Sequence, residues 1–344
     1  MHGMGQYLKQ PRQLFQLVVL LLTLAIGVQF YIYVRQASGT GAITVARPPG
    51  VEGFLPIGAL MGWKQFVLTG QWDWVHPAAM VILGWAVALS LLLRKSFCGW
   101  FCPLGTLSEA CWRLGQRLLG RNWHPPVWLD MPLRSLKYLL LGFFVWIIFT
   151  MSLEQIAAFM HSPYYKLSDV KMLHFFTRMS ALTAVVLVLL LAFSLITKNF
   201  WCRFLCPYGA LLGLFAMAGP TRIRRSVRRC IGCGACDRAC PSRLPVSKKA
   251  MIQSPECIGC MDCVVVCPVE ETLVLSSAGI HRRYWSPAKA GLFIVLFFVL
   301  TVYLASVSGH WRGAVSDEEF RVRLEQIDAP DNTHPSVDLG RAPE

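Results

Sequence analysis

Eight cysteines in a short stretch carry the clearest chemistry. They form Cys230-x2-Cys233-x2-Cys236-x3-Cys240-Pro241 and then Cys257-x2-Cys260-x2-Cys263-x3-Cys267-Pro268. In this spacing the first three thiolates of a run wrap one [4Fe–4S] cubane and the fourth reaches across to the other. Cluster one is therefore expected on Cys230, Cys233, Cys236 and Cys267, and cluster two on Cys257, Cys260, Cys263 and Cys240. Gly232, Gly234 and Gly259 suit a backbone that folds tightly around sulfur. Ile231, Ile258, Val264, Val265 and Val266 supply an apolar wall that excludes water and tunes potential. A pair of zinc knuckles also uses C-x2-C, but needs neither two x3-C-Pro endings nor a shared fourth ligand.

Four more of the 13 cysteines make two C-x3-C-P motifs, Cys98/Cys102 before Pro103 and Cys202/Cys206 before Pro207. On a helix each i, i+4 pair shares one face, and each proline is expected to end or kink its helix. Three readings stand side by side: a further metal or Fe–S centre on four thiolates, a pair of redox dithiols, or small soft residues packing helix ends. Counting iron separates them, because two cubanes account for about eight irons per chain. Cys111 stands alone and reads as a packing thiol.

The elements that must position these residues are membrane helices. Of 344 residues 55% are hydrophobic and only 15% charged, which points away from a soluble globule. Five apolar segments approach the roughly 20 residues a span requires: Leu14–Val34, Pro77–Leu93, Leu133–Ser152, Ser180–Thr197 and Ala288–Ser308. Phe54–Leu68, Leu104–Leu119 and Tyr208–Ala218 are shorter and read as interfacial or re-entrant pieces. The first apolar run is long and lacks a small-residue cleavage site, so it reads as a retained anchor. With the N-terminus inside, the inner segments hold 23 of the 33 basic residues and 7 of the 19 acidic ones. The net charge of +14 is thus a topology signal rather than a nucleic-acid signal. Clustered C-x2-C runs also belong to the reducing side of a membrane rather than to a disulfide framework.

The expected architecture is an integral membrane α-helical protein of about five transmembrane helices. Residues 1–220 form a four-helix membrane domain, 221–280 an inserted bicluster ferredoxin-like α+β domain, 288–308 a fifth helix, and 309–344 a tail. An internal repeat runs through the membrane domain. Phe97-Cys98-Gly99-Trp100-Phe101-Cys102-Pro103-Leu104-Gly105-Thr106-Leu107 parallels Trp201-Cys202-Arg203-Phe204-Leu205-Cys206-Pro207-Tyr208-Gly209-Ala210-Leu211. Two parallel helical hairpins related by an axis along the membrane normal are expected, with the two thiol pairs facing each other.

Multiple spans, two C-x3-C-P motifs and a double C-x2-C-x2-C-x3-C-P segment together resemble the NapH-, MauN- and NosR-type membrane ferredoxins, over about Leu14–Ser276. The resemblance implies a quinol dehydrogenase-like role, with electrons passing from the quinone pool toward periplasmic oxidoreductases through a periplasmic or membrane partner. The chain departs from the simpler NapH-like form in its fifth span and its acidic tail from Gly309 to Glu344, and it lacks the periplasmic flavin domain of NosR-like proteins. The implied location is the bacterial cytoplasmic membrane, with the N-terminus and ferredoxin domain cytoplasmic and the C-terminus periplasmic.

If quinol is oxidised, its protons need an acceptor. Glu52 and Glu154 are the carboxylate candidates, with His76, His161 and His174 nearby in the outer segments. Their ordinary readings are solvated caps and interfacial histidines. Absence of C-x2-C-H excludes covalent c-type haem. Arg222, Arg224, Arg225, Arg228 and Arg229 read as lipid contact and topology fixing, or as a docking patch for an acidic carrier. The tail, with Asp317-Glu318-Glu319-Phe320, Asp328, Asp331 and His334, is expected to be only partly ordered. Two other functions compete with the relay. One is an assembly factor reducing a metal or thiol on a client, as in CcoG-type proteins, although the tail is short of an immunoglobulin-like fold of ~100 residues. The other is a redox sensor.

Overall fold

The computed structural model describes residues 11–123, 125–277 and 284–329. It is mostly helical and divides into two compact units. One comprises Met1–Thr23, Gly84–Val145 and Ala181–Thr301, the other Leu24–Leu83, Trp146–Ser180 and Val302–Glu344.

Among the described residues three helices are long and apolar enough to cross a membrane: Pro11–Ala37, Trp128–Thr150 and Pro287–Val307. The protein is a helical membrane protein, but two of the expected five spans come out short. Pro77–Leu93 has 17 residues. Ala181–Ile196 has 16 and joins Ser168–Thr177 at a bend of 78°, so the pair serves as one span only as a broken helix. The third expected span begins earlier, at Val127, and takes Pro132 into its second turn, where the proline forfeits one backbone bond.

In the first unit a small antiparallel sheet holds the ferredoxin-like segment. Strands β1 (Thr221–Arg225), β2 (Met251–Ile252), β3 (Leu273–Ser277) and β4 (Tyr284–Trp285) lie in the order β2-β1-β3-β4. Ile223 pairs with Ile252 on one side and Leu275 on the other. Alternation along the strands sends Ile223, Leu273 and Leu275 into the core with Leu244, Val246 and Ile252. Two short helices, Ala235–Ala239 and Asp262–Val265, carry Cys236 and Cys263.

In the second unit the helices Pro56–Thr69, Leu153–His161 and Pro163–Lys166 gather around Met61, Ile156, Met160 and Tyr165, and Ser168–Thr177 sends Val170 into a second cluster with Phe30 and Tyr33. The described part of the tail contains a helix. Asp317–Glu325 is a helix capped by Ser316, with three acidic residues in its first turn favouring the helix dipole. Phe320 and Leu324, one turn apart, are buried against Tyr33, Val34 and Leu167. Asp331 and His334 lie outside the described residues.

Candidate functional site

The eight ferredoxin-type cysteines line two hollows, four to each. Cys240, Cys257, Cys260 and Cys263 line one, with Ile223, Leu244 and Ile252 behind them. Cys230, Cys233, Cys236 and Cys267 line the other. The chain reaches both hollows through the same backbone device. Gly232 and Gly259, each two residues after the first cysteine of a run, have φ of +73° and +61°. Gly234 and Met261, each directly after the second cysteine, have φ of +65° and +63° and lead into the short helices. Glycine adopts this left-handed turn freely, whereas Met261 is held there by packing at 1% exposure.

The two surroundings differ. Cys240, Cys257 and Cys263 are buried, and burial pushes the Cys240 thiol up to about 11 although Leu244 N–H donates to its sulfur at 3.4 Å. Cys233 is exposed and Cys230 and Cys267 are partly so. Backbone donation from Gly232 and the nearby Arg225 guanidinium hold the Cys230 thiol below its ordinary value. Four thiols around an apolar hollow fit a [4Fe–4S] cubane in both places. Among the described residues no three His, Cys, Asp or Glu side chains close on a point as ligands of a single ion would.

The C-x3-C-P motifs take an unexpected shape. Phe97–Phe101 and Trp201–Leu205 are single π-helical turns, closed by Cys102 N–H to Phe97 O at 2.8 Å and Cys206 N–H to Trp201 O at 3.0 Å. Pro103 and Pro207 then begin new helices, Pro103–Leu119 and Pro207–Ala218, instead of ending old ones. At the first helical position the missing N–H costs nothing and the fixed φ favours the helix. Cys102 and Cys206 sit at the break as N-caps, so neither pair shares one α-helical face. A widened turn of this kind marks functional sites often.

The two copies also meet reciprocally. A Cβ at Gly115 would overlap the carbonyl of Leu195, and one at Gly219 would overlap that of Leu91. Each glycine follows the second cysteine of its own motif by the same interval, and each leucine precedes the first cysteine of the other by the same interval. The four thiols lie close enough to act on one another: Cys202 feels the charge of Cys206, Cys102 and Cys98. Burial raises all four above the ordinary thiol value.

Copy one has an extra task. Gly99 passes the loop of the deep hollow so closely that a Cβ would stand 2.5 Å from Ile258 O. Trp100 Nε1 donates to Gly259 O at 3.0 Å. Arg12, 2% exposed, binds Glu109 at 2.7 and 2.9 Å, Asp262 at 2.9 and 3.1 Å, and Gly99 O at 3.0 Å. Gln16 completes the knot through Gly99 O and Glu109. The residue that matches Gly99 in copy two is Arg203, which pairs with Asp130 at 2.6 Å. Sequence reading missed Arg12, Glu109 and Asp262, since isolated charges carry no motif.

The arginine run is not simply lipid-facing. Arg222 is buried and donates to the carbonyls of Met217 and Gly219 that end a helix, Arg225 donates to Lys249 O at 3.1 Å, and Arg229 pairs with Glu271 at the surface. Both faces of strand β1 are covered at Thr221, Arg222 and Ile223, which a charge count does not reveal.

In the second unit Glu52 and His76 come together. Glu52 is 2% exposed, accepts from Ala78 N–H at 2.9 Å and lies 3.4 Å from His76 Nδ1. His76 Nε2 stands 2.8 Å from the carbonyl of Tyr165, so that nitrogen carries a proton. Burial lowers the affinity of His76 for a second proton, but the Glu52 hydrogen bond and charge outweigh it, and its pKa lies above the ordinary histidine value. Arg47 pairs with Asp169 at 2.6 Å beside them, and Tyr165 donates to Asp73 at 2.6 Å. Glu154, by contrast, is exposed in the first turn of the helix that Ser152 caps. His161 is exposed and bonds Ala157 O of its own helix, and His174 is half-buried elsewhere.

Comparison with known proteins decides the family. Residues 75–122 and 179–226 each match a family model described as a 4Fe-4S binding domain, one C-x3-C-P motif in each, and residues 222–268 match a 4Fe-4S dicluster domain. The chain is 43% identical over 321 residues to the electron transport protein YccM of Escherichia coli (strain K12), covering 92% of this chain and 90% of that protein. The chain belongs to the NapH- and NosR-type family of iron–sulfur membrane proteins. Protein NirI of Paracoccus denitrificans is 32% identical over 67% of this chain and 34% of its own length. The ferredoxin-type protein NapH of Haemophilus influenzae is 29% identical over 56% of this chain and 67% of its own. No solved structure matches. As a member of this NapH- and NosR-type family the chain is an electron transport protein that binds iron–sulfur clusters in a membrane setting.

Proposed function

We propose that the chain relays electrons between the membrane quinol pool and a redox partner protein in the bacterial cytoplasmic membrane. The N-terminus and the ferredoxin-like domain face the cytoplasm in this reading, and the segment after Pro287–Val307 faces the periplasm. The uneven distribution of lysine and arginine among the loops supports that orientation. One observation carries the reading: eight cysteines stand as two rings of four, one buried and one open.

Cys230, Cys233, Cys236 and Cys267 hold one [4Fe–4S] cluster, and Cys257, Cys260, Cys263 and Cys240 hold the other. Bound there, such clusters supply the one-electron exchange into which two-electron quinol chemistry divides. Ile223, Leu244 and Ile252 keep water from the deep ring. Exposure of Cys233 leaves the open ring accessible to a partner. Cys98, Cys102, Cys202 and Cys206 hold a third centre, which their shared burial and mutual electrostatic influence support.

Quinol oxidation also needs somewhere for protons to go. Of the two carboxylate candidates the geometry favours Glu52, whose Oε1 faces His76 Nδ1, over Glu154 in solvent. Glu52 takes the proton at Oε1, and His76 shares it at Nδ1. The test is anaerobic stopped-flow mixing of purified full-length protein with a short-chain quinol. Cluster absorbance is expected to bleach on the turnover timescale in wild type and about a hundredfold more slowly in Glu52→Gln, the lower end of what one positioned proton acceptor contributes. An unbleached wild-type spectrum overturns the relay.

A further inference from the structure

Buried cations in the first unit are almost all matched. Lys137, 0% exposed, forms an ion pair with Glu256, which also accepts from Tyr138 at 2.9 Å. Arg94 gives its guanidinium to the carbonyls of Ala216 and Ser254. Lys198 donates to Arg238 O at 3.0 Å, and Arg203 holds Asp130.

Lys95 is the exception. It is 3% exposed, three residues before Cys98. Among the described residues its amine has no carboxylate within ion-pair distance and no hydrogen-bond acceptor. Interiors retain a charged group only when something of opposite sign answers it. Its charge leads those acting on Cys98, Cys206 and Glu256, and it reaches Cys202 as well. Glu256 takes its hydrogen bonds from Lys137 and Tyr138, so two buried lysines share one carboxylate and a positive charge is left over beside the thiols.

We propose that Lys95 is the charge-compensating residue for an anionic, thiolate-ligated metal centre on Cys98, Cys102, Cys202 and Cys206. The proposal rests on the third-centre reading above and adds what makes that centre tolerable inside the protein. Four thiolates bring four negative charges, and a doubly positive iron–sulfur core cancels two. The remainder needs a cation that is not already paired, and Lys95 is placed to supply it. The aligned residue of the second copy is Asn199, so the cation comes from one copy only. Lys95 acts here by position and charge and ligates nothing.

Full-length protein purified anaerobically in detergent provides the test, as wild type, Lys95→Met and Lys95→Arg. Metal and sulfide analysis, alkylation of the four thiols read by mass spectrometry, and a redox titration are the readouts. Wild type is expected to exceed the about eight irons of two cubanes, with the four thiols protected. Lys95→Met is expected to fall back to the cubane irons, with the thiols open to alkylation, while Lys95→Arg keeps the centre. The cubane irons report in each variant that the protein has folded. If Lys95→Met does not assemble them, Lys95→Gln takes its place. Wild type with cubane iron alone and freely alkylated thiols overturns the third centre and the proposal together. A neutral variant that keeps the centre at unchanged metal content and potential overturns the role of Lys95 alone, as does loss of the centre from Lys95→Arg.

Discussion

The deep and open cysteine rings are written in the same spacing and built with the same pair of left-handed turns, yet they inhabit different surroundings. Around the deep ring are apolar strand residues and, at Asp262, the buried knot of Arg12 and Glu109. Beside the open ring is an Arg229–Glu271 pair in which both partners are more than half exposed. Spacing determines which thiols can converge. The neighbours decide how much water and field the sulfurs meet, and hence what can reach them.

The sharpest way to break this comparison is at Arg12. Arg12→Ala leaves buried Asp262 without its cation, while Glu109 keeps Arg113 and Gln16, and removing one partner from a buried pair costs about 3–5 kcal/mol. Denaturant unfolding should show that loss, with signals of the deep ring disturbed before those of the open one. Equal disturbance of both would erase the distinction.

Gly99 and Gly232 give a smaller, paired contrast. Gly99→Ala drives a methyl into the Ile258 carbonyl and is expected to cost about 1–3 kcal/mol, as overpacking does. Gly232→Ala meets nothing within 4 Å and carries only the strain of its positive φ, about 1 kcal/mol. Thermal unfolding of the two variants side by side checks the order.

The second unit serves as the control. The pKa of His76 is raised in the fold, so its pairing with Glu52 contributes fully below the ordinary histidine value of about 6.5. That contribution is lost as pH climbs through the raised value. Wild type should therefore lose thermal stability over that window more steeply than Glu52→Gln, and EPR of both rings should stay the same in the two proteins. The smallest effect belongs to Arg229→Ala. A surface pair is worth about 0–1 kcal/mol, so unfolding should scarcely move, while any change in electron exchange with a partner should fade as salt rises.

Much of the site was legible because cysteine spacing is itself geometry. The repeated x2, x2, x3-Pro pattern limits which four thiols can surround one hollow, and the structure gathers those same four in each case. The Pro after Cys102 and Cys206 misled, because proline disfavours a helix interior and equally favours a helix start, and only the π-turn before it decides between them. Hydropathy located five apolar runs but could not foresee that Ala181–Ile196 would be one arm of a bend. Glu52 and His76 were both singled out on residue type alone. Their meeting, and the part of Arg47, Asp73, Tyr165 and Asp169 around them, depends on contacts between distant segments that leave no local pattern.

The reciprocal glycine contacts bear on how the chain is made. The Pro103–Leu119 helix finds its seat at Leu195 only after the second copy has left the ribosome, so the first copy waits with an uncovered flank. Neither half is then a finished module that a duplication could have left independent. A bulky residue at Gly115 or Gly219 would collide with a main-chain carbonyl of the other copy and so hold the two halves of the seam apart.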